Sequence, residues 1–191
     1  MTTPVRGVAG LDRLAEQLAV AAGLRLGIAD SPAELIAAHR LRHREAREQG
    51  TTTVAGDRDG LERDRFDSRA LQVCAWDGDT LAGTLRLVLP MPGKLLPVEE
   101  EFGIGLEPAG EVVDLGPPLV AAGLAAAPGR RVTDGLLAQA WFETRARGYL
   151  VMAGIASSQL IGHFRGLGLD VDELARAAGD RTAVRIDPAI G

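Results

Sequence analysis

The sequence is short of several features that would announce a function directly. Aromatic residues make up only 4% of its 191 residues, so the core has to be built from leucine, valine, alanine and isoleucine. It has one cysteine, Cys74, which excludes a disulfide framework and fits a reducing compartment. Cys74 lies in an apolar, strand-like run and reads as a small buried hydrophobe; a catalytic thiolate needs a stabilising, partly exposed setting. Lys94 is the only lysine, and the net charge is -5. That negative balance argues against a general nucleic-acid binder, since neutralising phosphates takes clustered lysine and arginine. No run approaches the roughly 20 apolar residues that cross a bilayer. The first residues lack a basic region followed by a long apolar stretch, so no signal peptide is expected. A soluble, cytoplasmic protein is the expectation.

What is present suits one folded unit: 46% hydrophobic and 25% charged residues. Residues 1–23 read as an arm and a short amphipathic helix, with Leu11, Leu14, Ala15, Leu18 and Ala21 at helical spacing. This helix packs on the main body or on a partner chain, which leaves a homodimer open. Residues 24–191 form the main domain. Residues 24–29 alternate like a first strand, and Ser31, Pro32 and Glu34 are placed as N-cap, N1 and N3 of a helix. A glycine-containing loop over 51–60 is expected to be flexible and to order around ligand. Two apolar runs, 71–76 and 80–89, flank Asp77-Gly78-Asp79 and predict a hairpin, with Gly83 marking a bulge or a close backbone approach. Residues 90–110 read as an ordered surface excursion with apolar anchors. A strand over 111–116 is stopped or splayed by Pro117 and Pro118. A long helix opened by a turn over 130–135, a buried strand over 149–155, a helix capped by Ser157, a short helix over 172–178 and a last strand over 182–186 complete the chain.

Two places carry chemistry. Glu62, Asp64 and Asp67 put three carboxylates within six residues, and these repel one another unless a cation or an amine sits among them. Arg86, in an otherwise apolar strand, is the natural counter-charge, although it also reads as a purely structural partner for Asp67. The second place is Arg130, Arg131 and Gly135 at the start of the longest helix. Free N–H groups and the positive helix end attract anions there, yet the Gly-Lys-Ser/Thr of a Walker loop is absent, and a solvated basic helix start accounts for the pattern as well. His39 and His43 stand four residues apart on a helix without a convincing third ligand, so no metal is expected. His163, beside Phe164, and the Trp141-Phe142 pair read as packing.

Taken together, these features resemble the GNAT-fold acyltransferases of the group that contains the acyl-homoserine-lactone synthases, the N-acyl amino acid synthases and the ornithine-lipid acyltransferases. The residues that carry the resemblance are Arg42 on the first helix of the domain, the Glu62-x-Asp64-x-x-Asp67 segment, Gly83-x-x-Arg86-Leu87, Leu96-Pro97 and Glu111. It spans roughly residues 24–170. The chain departs from the pattern at Val113-Asp114, where the family has Ser-Arg, at Glu45-Ala46, and at Thr133 within the pyrophosphate pattern.

The resemblance implies an α/β GNAT-like fold, with a central mixed, mostly antiparallel sheet flanked by helices. It implies an N-acyltransferase that moves an acyl group from an acyl-CoA or acyl-phosphopantetheine thioester, the latter on an acyl carrier protein, to the amine of a small molecule or amino acid. Glu62, Glu111 and Arg86 are then the catalytic candidates, and either glutamate is a candidate proton acceptor. Arg42, Asp64, Asp67 and Asp114 are candidates for substrate binding. Backbone groups at Val113 and Leu115, with Arg130, Arg131 and Gly135, would meet the thioester and its phosphates, and the acyl chain would lie against Leu87, Leu119 and Ile155. Blander readings stand beside these: Glu111 facing solvent at a strand start, and Asp114 repelling the expected ligand. Two alternatives remain open: a protein of this fold that binds an acyl carrier or acyl ligand without turnover, and a short-chain acetyl-CoA-dependent acetyltransferase.

Overall fold

The computed structural model describes residues 5–48, 60–122 and 127–188. The expected flexible loop lies, apart from Gly60, outside the described residues. Helix α1 (Gly7–Ala22) buries Leu11 and Ala15 and ends on Gly23, whose φ of 63° is left-handed. It lies along α4 (defined below), where Trp141 Nε1 donates to Asp12 Oδ1 at 2.8 Å. Strand β1 (Arg25–Ile28) leads into helix α2 (Pro32–Glu48). The predicted cap is in place: the Glu34 amide donates to Ser31 Oγ at 3.2 Å, and the Glu34 carboxylate accepts from the Asp30 amide at 3.3 Å.

A 3-10 turn (Asp67–Arg69) precedes the hairpin of β2 (Ala70–Asp77) and β3 (Thr80–Val88). Gly78, at φ 57°, makes its turn. Val73 and Leu85 face each other across it, both fully buried. The register slips between Ala75 and Trp76, beside Gly83. A Cβ on Gly83 would lie 2.5 Å from Val132 Cγ1 and 2.8 Å from the Leu119 carbonyl. The bulge and the close approach expected at this glycine therefore both occur.

The excursion after β3 contains helix α3 (Pro97–Phe102), pinned by buried Leu96, Val98 and Leu106. Then come β4 (Val112–Leu115), β5 (Leu119–Val120), α4 (Ala127–Ala146), β6 (Val151–Ala156), α5 (Ser158–Gly166), β7 (Asp172–Arg176) and β8 (Thr182–Ile186). The sheet runs β1-β2-β3-β4-β6-β8-β7, with β5 also on β3, and every pairing is antiparallel except β4 with β6. One face is covered by α1, α4 and α5 over a core that includes Val113, Leu115, Leu136 and Phe164. On the other face α3 covers a smaller core of Val88, Val98 and Val112, while Ala38 of α2 closes a third around Cys74 and Trp76.

The functional geometry comes from the middle of the sheet. The parallel ladder between β4 and β6 runs from Val112–Val151 to Asp114–Ala153. Beyond it the chain stays with β3, since the Gly116 amide donates to the Arg86 carbonyl at 2.8 Å and β5 pairs with Gly83 and Thr84. Strand β6 continues instead along β8 as far as Ala156. Pro117 and Pro118, which donate no backbone hydrogen bond, link β4 to β5, and the sheet opens between β5 and β6. At the fork a Cβ on Gly154 would fall 2.2 Å from the Leu115 carbonyl, so the two strands can approach only because that residue is glycine.

Two local expectations are corrected. Residues 172–176 form a strand, not a helix, with burial alternating along it. Helix propensities among its residues differ by only tenths of a kcal/mol, and antiparallel pairing with β8 through a turn at Gly179 (φ 79°) overrides them. Likewise, residues 130–135 are not a turn that opens α4. The helix starts at Ala127, and Gly135 lies inside it, where a Cβ would come within 3.0 Å of Ala22 and Leu26. Gly135 is a packing glycine against α1 and β1.

Candidate functional site

Three elements, α2, β2 and β3, converge on the acidic segment. Arg42, on α2 and 4% exposed, donates from Nη1 to Asp67 Oδ1 at 2.6 Å and places Nη2 3.5 Å from Glu62 Oε1. Arg86, on β3, donates to Asp64 Oδ2 at 2.7 Å and lies 3.4 Å from Asp67 Oδ1. Asp67 also accepts from the Asp64 amide at 2.7 Å and from Gln72 Nε2 at 3.1 Å. Burial pushes the Asp67 carboxyl up, but Arg42, the Asp64 amide and Arg86 outweigh it and hold it below the ordinary range. For Arg86, burial opposes the charge while Asp64, Asp67 and Asp114 favour it, and the net shift is upward. His39 donates from Nδ1 to the Glu62 carbonyl at 2.8 Å. Burial, then the charge of Arg42, lowers its pKa and keeps it neutral. The result is a rigid lattice of fixed charges with Glu62 and Asp64 at its open side.

That side borders a cleft of about 1880 Å3, which runs from Glu62, Asp64 and Arg86 past Asp114 and Gly116, through the opening between Leu119 and Ile155, to Arg130, Thr133 and His163. Single ligand pockets are commonly about 300–1,000 Å3, so this open cleft is larger than one such pocket. At the far end His163 Nε2, on α5, lies 2.7 Å from Asp134 Oδ1, on α4. In the middle Asp114 is 4% exposed; its Oδ2 accepts from the Val98 amide at 2.9 Å. Burial pushes this carboxyl up to about 7, against the Val98 hydrogen bond and the charges of Arg86 and Arg69.

No family model and no curated protein matches the chain. Solved structures do. TofI, solved in a ternary complex with an inhibitor and MTA, superposes with a TM-score of 0.67 at 21% identity, over 86% of this chain and 91% of that one. MesI, a CoA-dependent acyl-homoserine lactone synthase, gives 0.61 at 25% identity, over 78% of each chain. A protein from Desulfovibrio desulfuricans, assigned to the GNAT family as an acetyltransferase, gives 0.52 at 15% identity, over 87% of this chain and 99% of that one. The fold is that of the GNAT acyltransferases.

Within this GNAT fold, the structure gathers Glu62, Asp64, Asp67, Arg42 and Arg86 into the one network described above, and Asp114 and Arg130 line the same cleft. Other candidate residues fall elsewhere. Glu111 is exposed in the turn before β4 and does not line the cleft. Arg131 is exposed on α4 away from the cleft, and Gly135 is buried under α1. The side chains of Val113 and Leu115 belong to the main core, although the Leu115 carbonyl sits at the fork. Leu119 and Ile155 line the cleft, whereas Leu87 is fully buried in the core. The GNAT cleft also contains residues that the sequence did not single out. His163 faces it rather than merely packing beside Phe164. Its partner Asp134 lies 29 positions away, and no local pattern joins the two. Among the described residues no three potential metal ligands come together, and no helix is long and apolar enough to cross a membrane.

Proposed function

We propose that this chain is an N-acyltransferase that moves an acyl group from a thioester, carried by coenzyme A or by the phosphopantetheine of an acyl carrier protein, to the amine of a small molecule or amino acid. The observation that carries the reading is the opening between β5 and β6, which joins the acidic rim to Arg130 through one continuous cleft. An extended pantetheine arm fits such a gap. Its reactive end would meet the fork at Leu115, and its phosphates would meet Arg130 in the first turns of α4. Leu119 and Ile155 give the acyl chain apolar walls. The open carboxylates of Glu62 and Asp64 suit a cationic amine, held in place by Arg42 and Arg86. The likeness to MesI, described as CoA-dependent, supports the thioester donor. Val113-Asp114 in place of Ser-Arg favours a simple amide product over a lactone.

The test is mass spectrometry of products from acyl-CoA and acyl carrier thioesters incubated with a panel of amines and amino acids. An amide is the expected product. Tight thioester binding with no amide across the panel would overturn the enzyme in favour of a binding protein. Full turnover by both Glu62→Gln and Arg86→Ala would overturn the placement of the site.

A further inference from the structure

An ammonium ion cannot attack a thioester, because its nitrogen has no free electron pair; some group must first take its proton. Among the described residues the cleft has seven carboxylates along its walls: Glu62, Asp64, Glu100, Glu101, Asp114, Asp134 and Asp180. Six of them are engaged. Glu62 faces Arg42 at 3.5 Å, Asp64 accepts from Arg86 at 2.7 Å, and Glu100 pairs with Arg65. Glu101 pairs with Arg181 at 2.7 Å, Asp134 with His163 at 2.7 Å, and Asp180 accepts from the Ser158 amide at 2.8 Å. A carboxylate held by a guanidinium is a weak proton acceptor, since protonation would break the pair. Asp114 differs from the five ion-paired carboxylates in forming no ion pair with any described residue, and from Asp180, both of whose oxygens accept from Ser158, in that only one of its oxygens is taken, by the Val98 amide.

We propose that Asp114 is the proton acceptor of the acyl transfer, a role that rests on the acyl-transfer reading of the cleft and that the sequence had assigned to Glu62 or Glu111. Asp114 sits at the last rung of the parallel ladder, beside the fork where the thioester carbonyl would lie. The Val98 amide orients the carboxyl from behind, which leaves the second oxygen for the substrate nitrogen. Three charged groups act on this carboxyl. Arg86 on β3 and Arg69 at the end of the 3-10 turn favour its ionised form, and Glu99 on α3 opposes it. Arg185 on β8, one strand beyond Ala153, is paired with Asp187. Burial dominates them and sets the carboxyl near neutrality, where an acceptor can both take and release a proton.

The step balances as follows. The ionised Asp114 oxygen takes one proton from the ammonium, and the freed nitrogen pair forms the C–N bond to the thioester carbon. Collapse of the tetrahedral adduct breaks the C–S bond, and its electron pair leaves on sulfur. Of the two protons lost from nitrogen, one ends on the thiol and the other passes through Asp114 to solvent. The products are amide, thiol and one proton.

The experiment compares wild type with Asp114→Asn, using the thioester and amine identified by the product screen, from about pH 5.5 to about pH 9.5. Asparagine keeps the shape and can still accept the Val98 hydrogen bond. Wild-type kcat/KM should rise with an inflection near 7, whereas the variant should lose about 100-fold or more at pH 7 and show no such inflection. A nucleophile already neutral at pH 7, such as hydroxylamine, needs no prior deprotonation and should recover most of the loss. A variant within about threefold of wild type overturns the proposal, as does an equal loss with hydroxylamine and with the cationic amine. If Asp114→Asn does not fold, 13C-carboxyl titration of the wild-type protein decides: an Asp114 carboxyl that titrates below about pH 5 refutes the role. Absence of amide from the wild-type protein refutes the acyl-transfer reading itself, an outcome distinct from an active enzyme indifferent to Asp114.

Discussion

Asp114 also makes a prediction about stability that is independent of any substrate. Its carboxyl has an ordinary value of 3.8 and in the folded protein titrates at about 7. Between these values the folded state binds more protons than the unfolded state, so stability falls as pH rises. The contribution of the protonated carboxyl is present in full below pH 3.8 and is lost once the pH has passed about 7. At 1.36 kcal/mol per pH unit, the whole window is worth about 4 kcal/mol. Asparagine has no proton to lose, so Asp114→Asn should gain about 4 kcal/mol relative to wild type between about pH 4 and about pH 8. Urea unfolding followed by the fluorescence of Trp76 and Trp141, both buried, measures both proteins across the range. Every other group titrates in both chains and cancels in the difference. If the two stability curves run parallel from pH 4 to pH 8, the buried carboxyl does not titrate near neutrality and the reasoning fails.

Removal of Arg42 should be costly, because Asp67 and Glu62 would lose their buried partner. Arg42→Met is expected to destabilise the fold by about 3 kcal/mol in urea unfolding, and a loss below about 0.5 kcal/mol would show the network to be energetically idle. Gly154→Ala forces a Cβ against the Leu115 carbonyl, a backbone atom that cannot rotate away. It should cost about 2 kcal/mol and abolish turnover; an unchanged melting temperature would mean that the strands are not so close at the fork. Ser31→Ala removes the α2 cap and should cost about 1 kcal/mol without altering kcat/KM. A change in activity would mean that α2 positions the site through its first turn rather than through Arg42.

Much of this architecture was legible in the sequence because the signals are local. The hairpin follows from two apolar runs around Asp77-Gly78-Asp79, and the α2 start from Ser31 and Glu34, three residues apart. The pairing of Arg86 with the acidic segment was legible too, since three neighbouring carboxylates require a positive partner, whereas Arg42 came into view only through the family resemblance. What escaped is set by tertiary contacts. The strand at 172–176 takes its form from the edge offered by β8, against a mild local preference for helix. Gly135 lies inside α4 rather than in a turn before it because it packs against Ala22 of α1 and Leu26 of β1. Glu111 and Asp114 are three residues apart on one stretch, yet the first is exposed and the second buried. Glu111 stays in the turn before β4, whereas Asp114 is held in the sheet between β3 and β6 and covered by α3, whose Val98 amide it accepts from. The coupling of His163 to Asp134 joins two helices across a strand and leaves no trace in either segment.

The scarcity of lysine acquires a chemical meaning beside this cleft. Among the described residues every basic side chain along its wall is arginine or histidine: Arg86, Arg130, Arg181 and His163. Lys94, the only lysine, stands in the excursion and does not border it. A lysine amine next to an activated thioester would be a rival acceptor, tethered at high effective concentration and able to divert acyl groups onto the protein itself. A guanidinium holds its charge at any working pH and offers no such nitrogen. A cleft lined in this way can grip anions and carboxylates without competing for the group it transfers.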